Sequence, residues 1–253
     1  MRPYIVICYA ILHCFSTRTM PTAIITGATK GLGRAIAETF AANGFDLCVC
    51  ARTPSDLEAM QAYWSARFPE RTLHTHDADL GKKPDVLAFA AFVQQRFDRV
   101  DVLVNNAGIY LPGLVSEEPD GTLETLMEVN LYSAYHLTRA VLPLMLPRQK
   151  GHVFNMCSIA SLLAYPNGGS YSITKFALLG FSKALREELK TQGIKVTAIL
   201  PGATWSDSWR GVDLPEARLM QAEDIAKSVW AAYTLSDSAV VEEIVLRPLL
   251  GDL

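Results

Sequence analysis

Seven short apolar runs divide this chain, and each is separated from the next by a segment of helix length. The runs are Thr22–Thr26, Asp46–Ala51, Leu73–His76, Val100–Asn105, His152–Cys157, Ile194–Leu200 and Val240–Leu246. Between them, apolar spacing predicts helices over Leu32–Ala42, Pro54–Phe68, Pro84–Phe97, Thr122–Leu146, Tyr171–Thr191 and Glu223–Tyr233. Parallel strands cannot be joined by tight turns; they need long crossovers, usually helical. Val102–Val104 and Val196–Leu200 are continuously apolar, as befits strands covered on both faces. The pattern therefore predicts an α/β fold: one Rossmann-type, doubly wound parallel sheet of seven strands with helices on both faces. Such sheets bind ligands beyond the carboxyl ends of their strands.

The chain has 253 residues, half of them hydrophobic, which is enough for one large core. No internal repeat, low-complexity tract or linker interrupts it. Net charge is -3 and the pI is near 6.0, so no basic field exists to attract nucleic acid. Cysteines at 8, 14, 48, 50 and 157 form neither an even disulfide framework nor a Cys-x-x-Cys zinc pattern. Cys48 and Cys50 alternate in an apolar run and read as core thiols, which fits a reducing, cytoplasmic setting. His74 and His76 share one strand face, but no third ligand of suitable spacing accompanies them, so no metal site is expected.

Residues 1–19 stand apart. Tyr4–Leu12 is apolar over nine residues, far short of the roughly 20 that span a bilayer. No small-x-small cleavage site follows. The strand that feeds the glycine turn begins almost at once, at Pro21 and Thr22. The expected organisation is an N-terminal extension, 1–19, preceding a nucleotide-binding domain, 20–253, with Met20 as the natural start and no membrane attachment.

The loop after the first strand reads Thr26-Gly-Ala-Thr-Lys-Gly-Leu-Gly33. Gly27, Gly31 and Gly33 allow a sharp turn and let a pyrophosphate approach the helix N-terminus, where free N–H groups and the helix dipole favour an anion. At the end of the second strand, where an acid would hold an NAD ribose, the sequence is Cys50-Ala51-Arg52-Thr53. Arg52, with Lys30 in the glycine turn, suits the 2′-phosphate of NADP.

Tyr171 and Lys175 lie one helical turn apart, on one face. Hydride arriving at a carbonyl carbon leaves charge on oxygen, and a phenol can supply the proton. A free phenol ionises only at about pH 10, and a neighbouring ammonium favours loss of its proton. Ser158 can hydrogen-bond the carbonyl oxygen.

These motifs, in this order, resemble the short-chain dehydrogenase/reductase family from about Thr22 to the C-terminus. Its glycine motif matches Thr26–Gly33, and its Asn-Asn-Ala-Gly motif matches Asn105–Gly108. Its catalytic asparagine, serine and Tyr-x-x-x-Lys pair match Asn130, Ser158, Tyr171 and Lys175. Asp79-Leu80 is similar to its adenine-side acidic position, and Pro201-Gly202 to its nicotinamide-side turn. The resemblance implies the strand order 3-2-1-4-5-6-7 and a nicotinamide cofactor. The cofactor would be held by Thr26, Gly27, Thr29, Lys30, Gly31, Leu32, Gly33, Arg52, Asp79, Leu80, Asn106, Ala107, Gly108, Tyr171, Lys175, Pro201 and Gly202. It gives Lys175 a hold on the nicotinamide ribose and Asn130 a water chain returning protons to Lys175. It also implies a homodimer or homotetramer built on the helices Thr122–Leu146 and Tyr171–Thr191.

Only about twenty residues separate Pro201 from the helix near Glu223, and the C-terminus lacks the Asp-Gly-Gly ending of ketoacyl reductases. The chain is more similar to short-lidded NADP-dependent carbonyl and 3-hydroxy-acid dehydrogenases, or to sepiapterin-reductase-like enzymes. The expected substrate is a small ketone, aldehyde or 3-oxo acid. The competing readings are a 3-oxoacyl-carrier-protein reductase and a non-catalytic NADPH-binding sensor. Trp205, Trp209 and Arg210 are candidates for the substrate mouth, Trp209 being equally suited to closing an apolar seam. Ala164, Tyr165 and Pro166 are candidates for the opposite wall.

Overall fold

The computed structural model describes residues 20–205, 214–215 and 218–252. Its centre is a sheet of seven parallel strands: β1 (Thr22–Thr26), β2 (Asp46–Ala51), β3 (Leu73–Asp77), β4 (Val102–Asn105), β5 (Gly151–Met156), β6 (Ile194–Pro201) and β7 (Glu243–Leu246). Their order is β3-β2-β1-β4-β5-β6-β7, as the family resemblance implies. The order reverses between β1 and β4, which opens a crevice at their carboxyl ends.

Side-chain alternation explains the two layers. In β1, Ala23 and Ile25 join a core with Phe40 and Trp64, under helices α1 (Gly31–Ala42), α2 (Pro54–Arg67) and α7 (Ala222–Tyr233). Ile24 points the other way, into a core with Phe89, Val141 and Leu185. Those side chains come from α3 (Lys83–Gln94), α5 (Ser133–Val141) and α6 (Gly169–Leu189). Burial on both faces is why β1, β4 and β5 read as mainly apolar runs. Cys48 and Cys50 are free, buried thiols in the second core. Burial pushes both up, Cys50 to about 12, so neither is a ready nucleophile. His74 meets the edge of Phe97, and His76 lies against Phe89 and Phe92, so these strand histidines are packing residues.

One expected helix is divided. Thr122–Leu146 forms α4 (Thr122–Met127), a π turn at Glu128–Tyr132, then α5, followed by 3-10 turns at Leu142–Leu144 and Leu146–Arg148. Pro143 and Pro147 lack the N–H that an α-helix needs, which ends α5 early. The wider π turn carries Asn130. Single π turns inside helices gather at functional positions.

Candidate active site

The crevice is assembled from two backbone turns tied to each other. Gly27 takes φ +63, a left-handed conformation that favours glycine. At Gly33 a Cβ would overlap Asn106 Nδ2 and the Gly27 carbonyl oxygen, so no larger residue fits. Thr26 is buried, and its hydroxyl accepts from the N–H groups of Asn106 and Ala107, both at 2.9 Å. Asn106 Nδ2 donates to the carbonyls of Thr26 (2.9 Å) and Gly27 (3.1 Å). These two side chains, expected at the cofactor, are spent on the protein itself: they lock the glycine turn to the turn after β4. The N-terminus of α1 meanwhile offers no side-chain cap from Lys30, so its first N–H groups are available to an anion.

Arg52 is exposed at the mouth of β2 and enters no ion pair among the described residues. Lys30 pairs with Asp56 in the first turn of α2, at 3.1 Å, with the lysine side chain 57% exposed. Asp79 accepts from Gly81 N–H at 3.1 Å and pairs with Lys82 at 3.4 Å, while Leu80 is a core residue.

The proton-handling residues converge at the ends of β4 and β5. Tyr171 lies in the first turn of α6, and Lys175 one turn below it. Lys175 is only 5% exposed, its Nζ donates to the Met156 carbonyl at 2.8 Å, and it sits 5.7 Å from the Tyr171 ring centroid. A Cβ on Gly108 would lie 3.2 Å from Asn130 Oδ1 and 3.6 Å from Lys175 Nζ. Glycine there lets backbone, amide and ammonium meet.

Asn130 is placed beside the lysine, yet its side chain is fully engaged. Oδ1 accepts from Ile109 N–H at 2.8 Å, and Nδ2 donates to Ile109 O at 3.0 Å and to Thr174 Oγ1 at 3.1 Å. Thr174 donates in turn to the Tyr171 carbonyl. Asn130 thus clamps the loop after β4 to the catalytic helix.

Ser158 caps a short 3-10 turn, Ile159–Ser161, against which α6 packs. Its Oγ accepts from Ala160 N–H at 3.1 Å, so its own hydrogen is left to donate. Tyr165 is half-buried, and its phenol is pushed up by burial and by the nearby Tyr110 and Tyr171. Pro201-Gly202 ends β6. Gly202 N–H donates to Leu246 O at 2.8 Å, and the C-terminal tail at Pro248 and Asp252 covers this turn. Trp205 is part-exposed just beyond it. Trp209 and Arg210 lie outside the described residues.

Two features of the site carry no signal in the sequence, and a third carries only a hint. Tyr110 sets its ring against that of Tyr171, centroids 4.9 Å apart and planes at 84°. Glu118 accepts from the N–H and the hydroxyl of Ser170, the residue before Tyr171. Gly169, at φ +32, makes room for this carboxylate, since a Cβ there would overlap Glu118 Oε1. Beneath the site, Asn105 Nδ2 donates to Asn155 Oδ1 at 2.8 Å, and Asn155 donates to Ser182 Oγ at 2.8 Å. Asparagines inside the apolar runs Val102–Asn105 and Gly151–Met156 were the one visible hint of that chain.

Comparison with known proteins agrees with this geometry. The short chain dehydrogenase family model matches residues 21–216. A sepiapterin reductase of Chlorobaculum tepidum is 34% identical over 91% of this chain and 97% of its own. A 3-oxoacyl-[acyl-carrier-protein] reductase of Escherichia coli is 31% identical over 86% of this chain and 90% of its own. Among solved structures, an alcohol dehydrogenase of Thermococcus sibiricus complexed with 5-hydroxy-NADP superimposes with a TM-score of 0.83. It is 28% identical and covers 90% of this chain and 97% of its own. With the family model matching most of the chain and relatives above 30% identity aligned over nearly their whole length, the chain belongs to the short-chain dehydrogenase/reductase family and is an NAD(P)-dependent oxidoreductase acting on CH-OH groups.

Proposed function

We propose that this protein is an NADPH-dependent carbonyl reductase, working reversibly on a small carbonyl/alcohol pair. The observation that carries the reading is the buried Lys175 ammonium, held under the Tyr171 ring and against Gly108. A buried lysine that donates to a single carbonyl retains two hydrogens. In this reading they serve the Tyr171 phenol and the nicotinamide ribose.

The cofactor site fits the group. The overlap at Gly33, the left-handed Gly27 and the uncapped start of α1 leave a cradle for a pyrophosphate. Bound NADPH would supply the hydride. Arg52 would meet the 2′-phosphate, and it is the primary selector because Lys30 already shares its charge with Asp56. Ser158 donates its free hydroxyl hydrogen to the substrate oxygen and orients it. Tyr171 gives that oxygen a proton as charge develops. Lys175 favours the phenolate that results. Asn130 holds Ile109 and Thr174 in place, a positioning role in which its side chain takes no proton.

Two further assignments complete the proposal. Tyr132, Tyr135, Ile173 and Phe176 leave an exposed apolar face on the π turn, α5 and α6, the surface on which a second copy would pack as a homodimer or homotetramer. Among the described residues no helix is long and apolar enough to cross a membrane, and reduced core thiols suit the cytoplasm.

The test is NADPH oxidation against a panel of ketones and aldehydes, run beside Tyr171→Phe. The variant keeps the ring contact with Tyr110 and loses the proton donor. It should lose about 10²–10⁴-fold in kcat while binding NADPH normally. Near wild-type kcat in Tyr171→Phe would overturn the reading.

A further inference from the structure

We propose that the substrate is an electrically neutral, largely apolar carbonyl compound, and that anionic 3-oxo acids and acyl groups on phosphate-bearing carriers are poor substrates. This rests on the reductase reading above and narrows it.

Two described segments wall the space over Tyr171. One is the loop 109–121, which follows the turn after β4. It is fastened to the start of the catalytic helix: Gly113 N–H donates to Asn167 O at 3.0 Å, Glu118 grips Ser170, and Tyr110 stands against Tyr171. The other is 158–170, from the capping serine to that helix. Both walls expose large apolar side chains. Leu111, Leu114 and Val115 project from the first, Leu162 and Leu163 from the second, and Val115 is 66% exposed.

Neither wall contains a lysine, arginine or histidine. Their only charged side chains are Glu117, Glu118 and Asp120. Glu118 is spent on Ser170, and Glu117 and Asp120 are exposed, with no ion pair among the described residues. Among the described residues, the cation at the reacting centre is Lys175, and it is buried beneath Tyr171 with its Nζ tied to Met156.

A carboxylate entering this mouth would lose water against leucines, find no cation in either wall, and approach like charges. A phosphodiester arm meets the same objection. A neutral ketone with alkyl or aryl substituents escapes these costs and gains from covering exposed leucine and tyrosine surface.

Ethyl 3-oxobutanoate and 3-oxobutanoate carry the same reacting ketone and differ in charge, so they isolate the effect. With NADPH saturating at low ionic strength, kcat/KM for the ester should exceed that for the anion by roughly tenfold or more, since an anion is desolvated there with no cation in either wall to meet it. Added NaCl should raise the anion's kcat/KM and leave the ester's flat, because salt screens repulsion. Glu117→Lys should narrow the ester-to-anion ratio. An anion reduced as well as the ester, or one whose rate falls with salt, overturns the inference while the reductase reading stands. If neither compound nor any neutral ketone is reduced, and Tyr171→Phe behaves like wild type, both fall together.

Discussion

Replacing Glu118 by alanine tests how the catalytic helix is held. The carboxylate receives two hydrogen bonds from Ser170, one from its backbone N–H and one from its hydroxyl. It also stands at the N-terminus of a 21-residue helix, where a negative charge is favoured. A charge-assisted hydrogen bond contributes about 1.5–3 kcal/mol when buried. Glu118 is only part-buried, so we discount the pair to about 2–3 kcal/mol in total. For a chain of this size that lowers Tm by roughly 5–10 °C. The same loss frees the residue before Tyr171. Misplacement by about 1 Å can cost on the order of 100-fold in rate, so a drop of about tenfold in kcat is expected. NADPH affinity should stay within about twofold, because the glycine turn is built from Thr26 and Asn106 rather than from α6. Glu118→Gln keeps an acceptor for the Ser170 N–H and should recover most of the stability. Calorimetry, steady-state kinetics and cofactor titration on both variants decide the matter. Wild-type Tm and kcat in Glu118→Ala would show that the carboxylate positions nothing.

Three other outcomes are expected. Arg52→Asp replaces attraction with repulsion and should shift the NADPH:NADH preference by at least roughly tenfold, measured as the ratio of kcat/KM; a wild-type enzyme that uses NADH equally well contradicts the assignment. A chain beginning at Met20 should fold and turn over like the longer one, because β1 starts at Thr22, and loss of soluble protein on that truncation would count against a dispensable extension. Burial holds His152 down to about 3, against an ordinary value near 6.5. The unfolded chain therefore takes up a proton below about pH 6.5 that the folded chain refuses. Stability should fall by about 1.4 kcal/mol per pH unit as pH drops from 6.5 towards 3, and be unaffected above 6.5. Urea unfolding at pH 6.5 and 4.5 should show a steeper acid loss for wild type than for His152→Gln; parallel losses would refute the linkage.

The sheet was legible because its signals are local and repeated. The five inner strands are largely buried on both sides and so appear as mainly apolar runs, while the edge strands β3 and β7 are only part-buried; strict alternation with helices leaves few topologies to choose among. What escaped were interruptions set by one or two residues. The division of Thr122–Leu146 into α4, a π turn and α5 depends on Asn130 reaching Ile109 across 21 positions of sequence. Helical periodicity carries no trace of such a contact. The late start of β7 at Glu243 has a similar origin: Thr197 takes the Val241 carbonyl with its side chain before the ladder begins.

The site divides along the same line. Residues that must present a fixed chemical group at a fixed spacing, such as Tyr171 and Lys175, are visible because one helical turn enforces the spacing. Residues that hold those groups are visible only when two distant segments are brought together. Thr26 and Asn106 sit in recognisable motifs, yet their side chains face each other 80 positions apart and weld two turns. Glu118 occupies no motif, but the left-handed Gly169 that admits it lies two residues before the catalytic tyrosine. A side chain at either glycine, 33 or 169, would therefore disturb different halves of the enzyme. Gly33→Ala pushes on the Asn106 amide and the Gly27 carbonyl, so it should abolish nucleotide binding while the Tyr171 helix stays capped. Gly169→Ala pushes on Glu118, so it should lower kcat and Tm together while NADPH still binds. Cofactor titration on the two variants separates the halves: equal loss of NADPH affinity in both would mean that the glycine turn and the catalytic helix are not held independently.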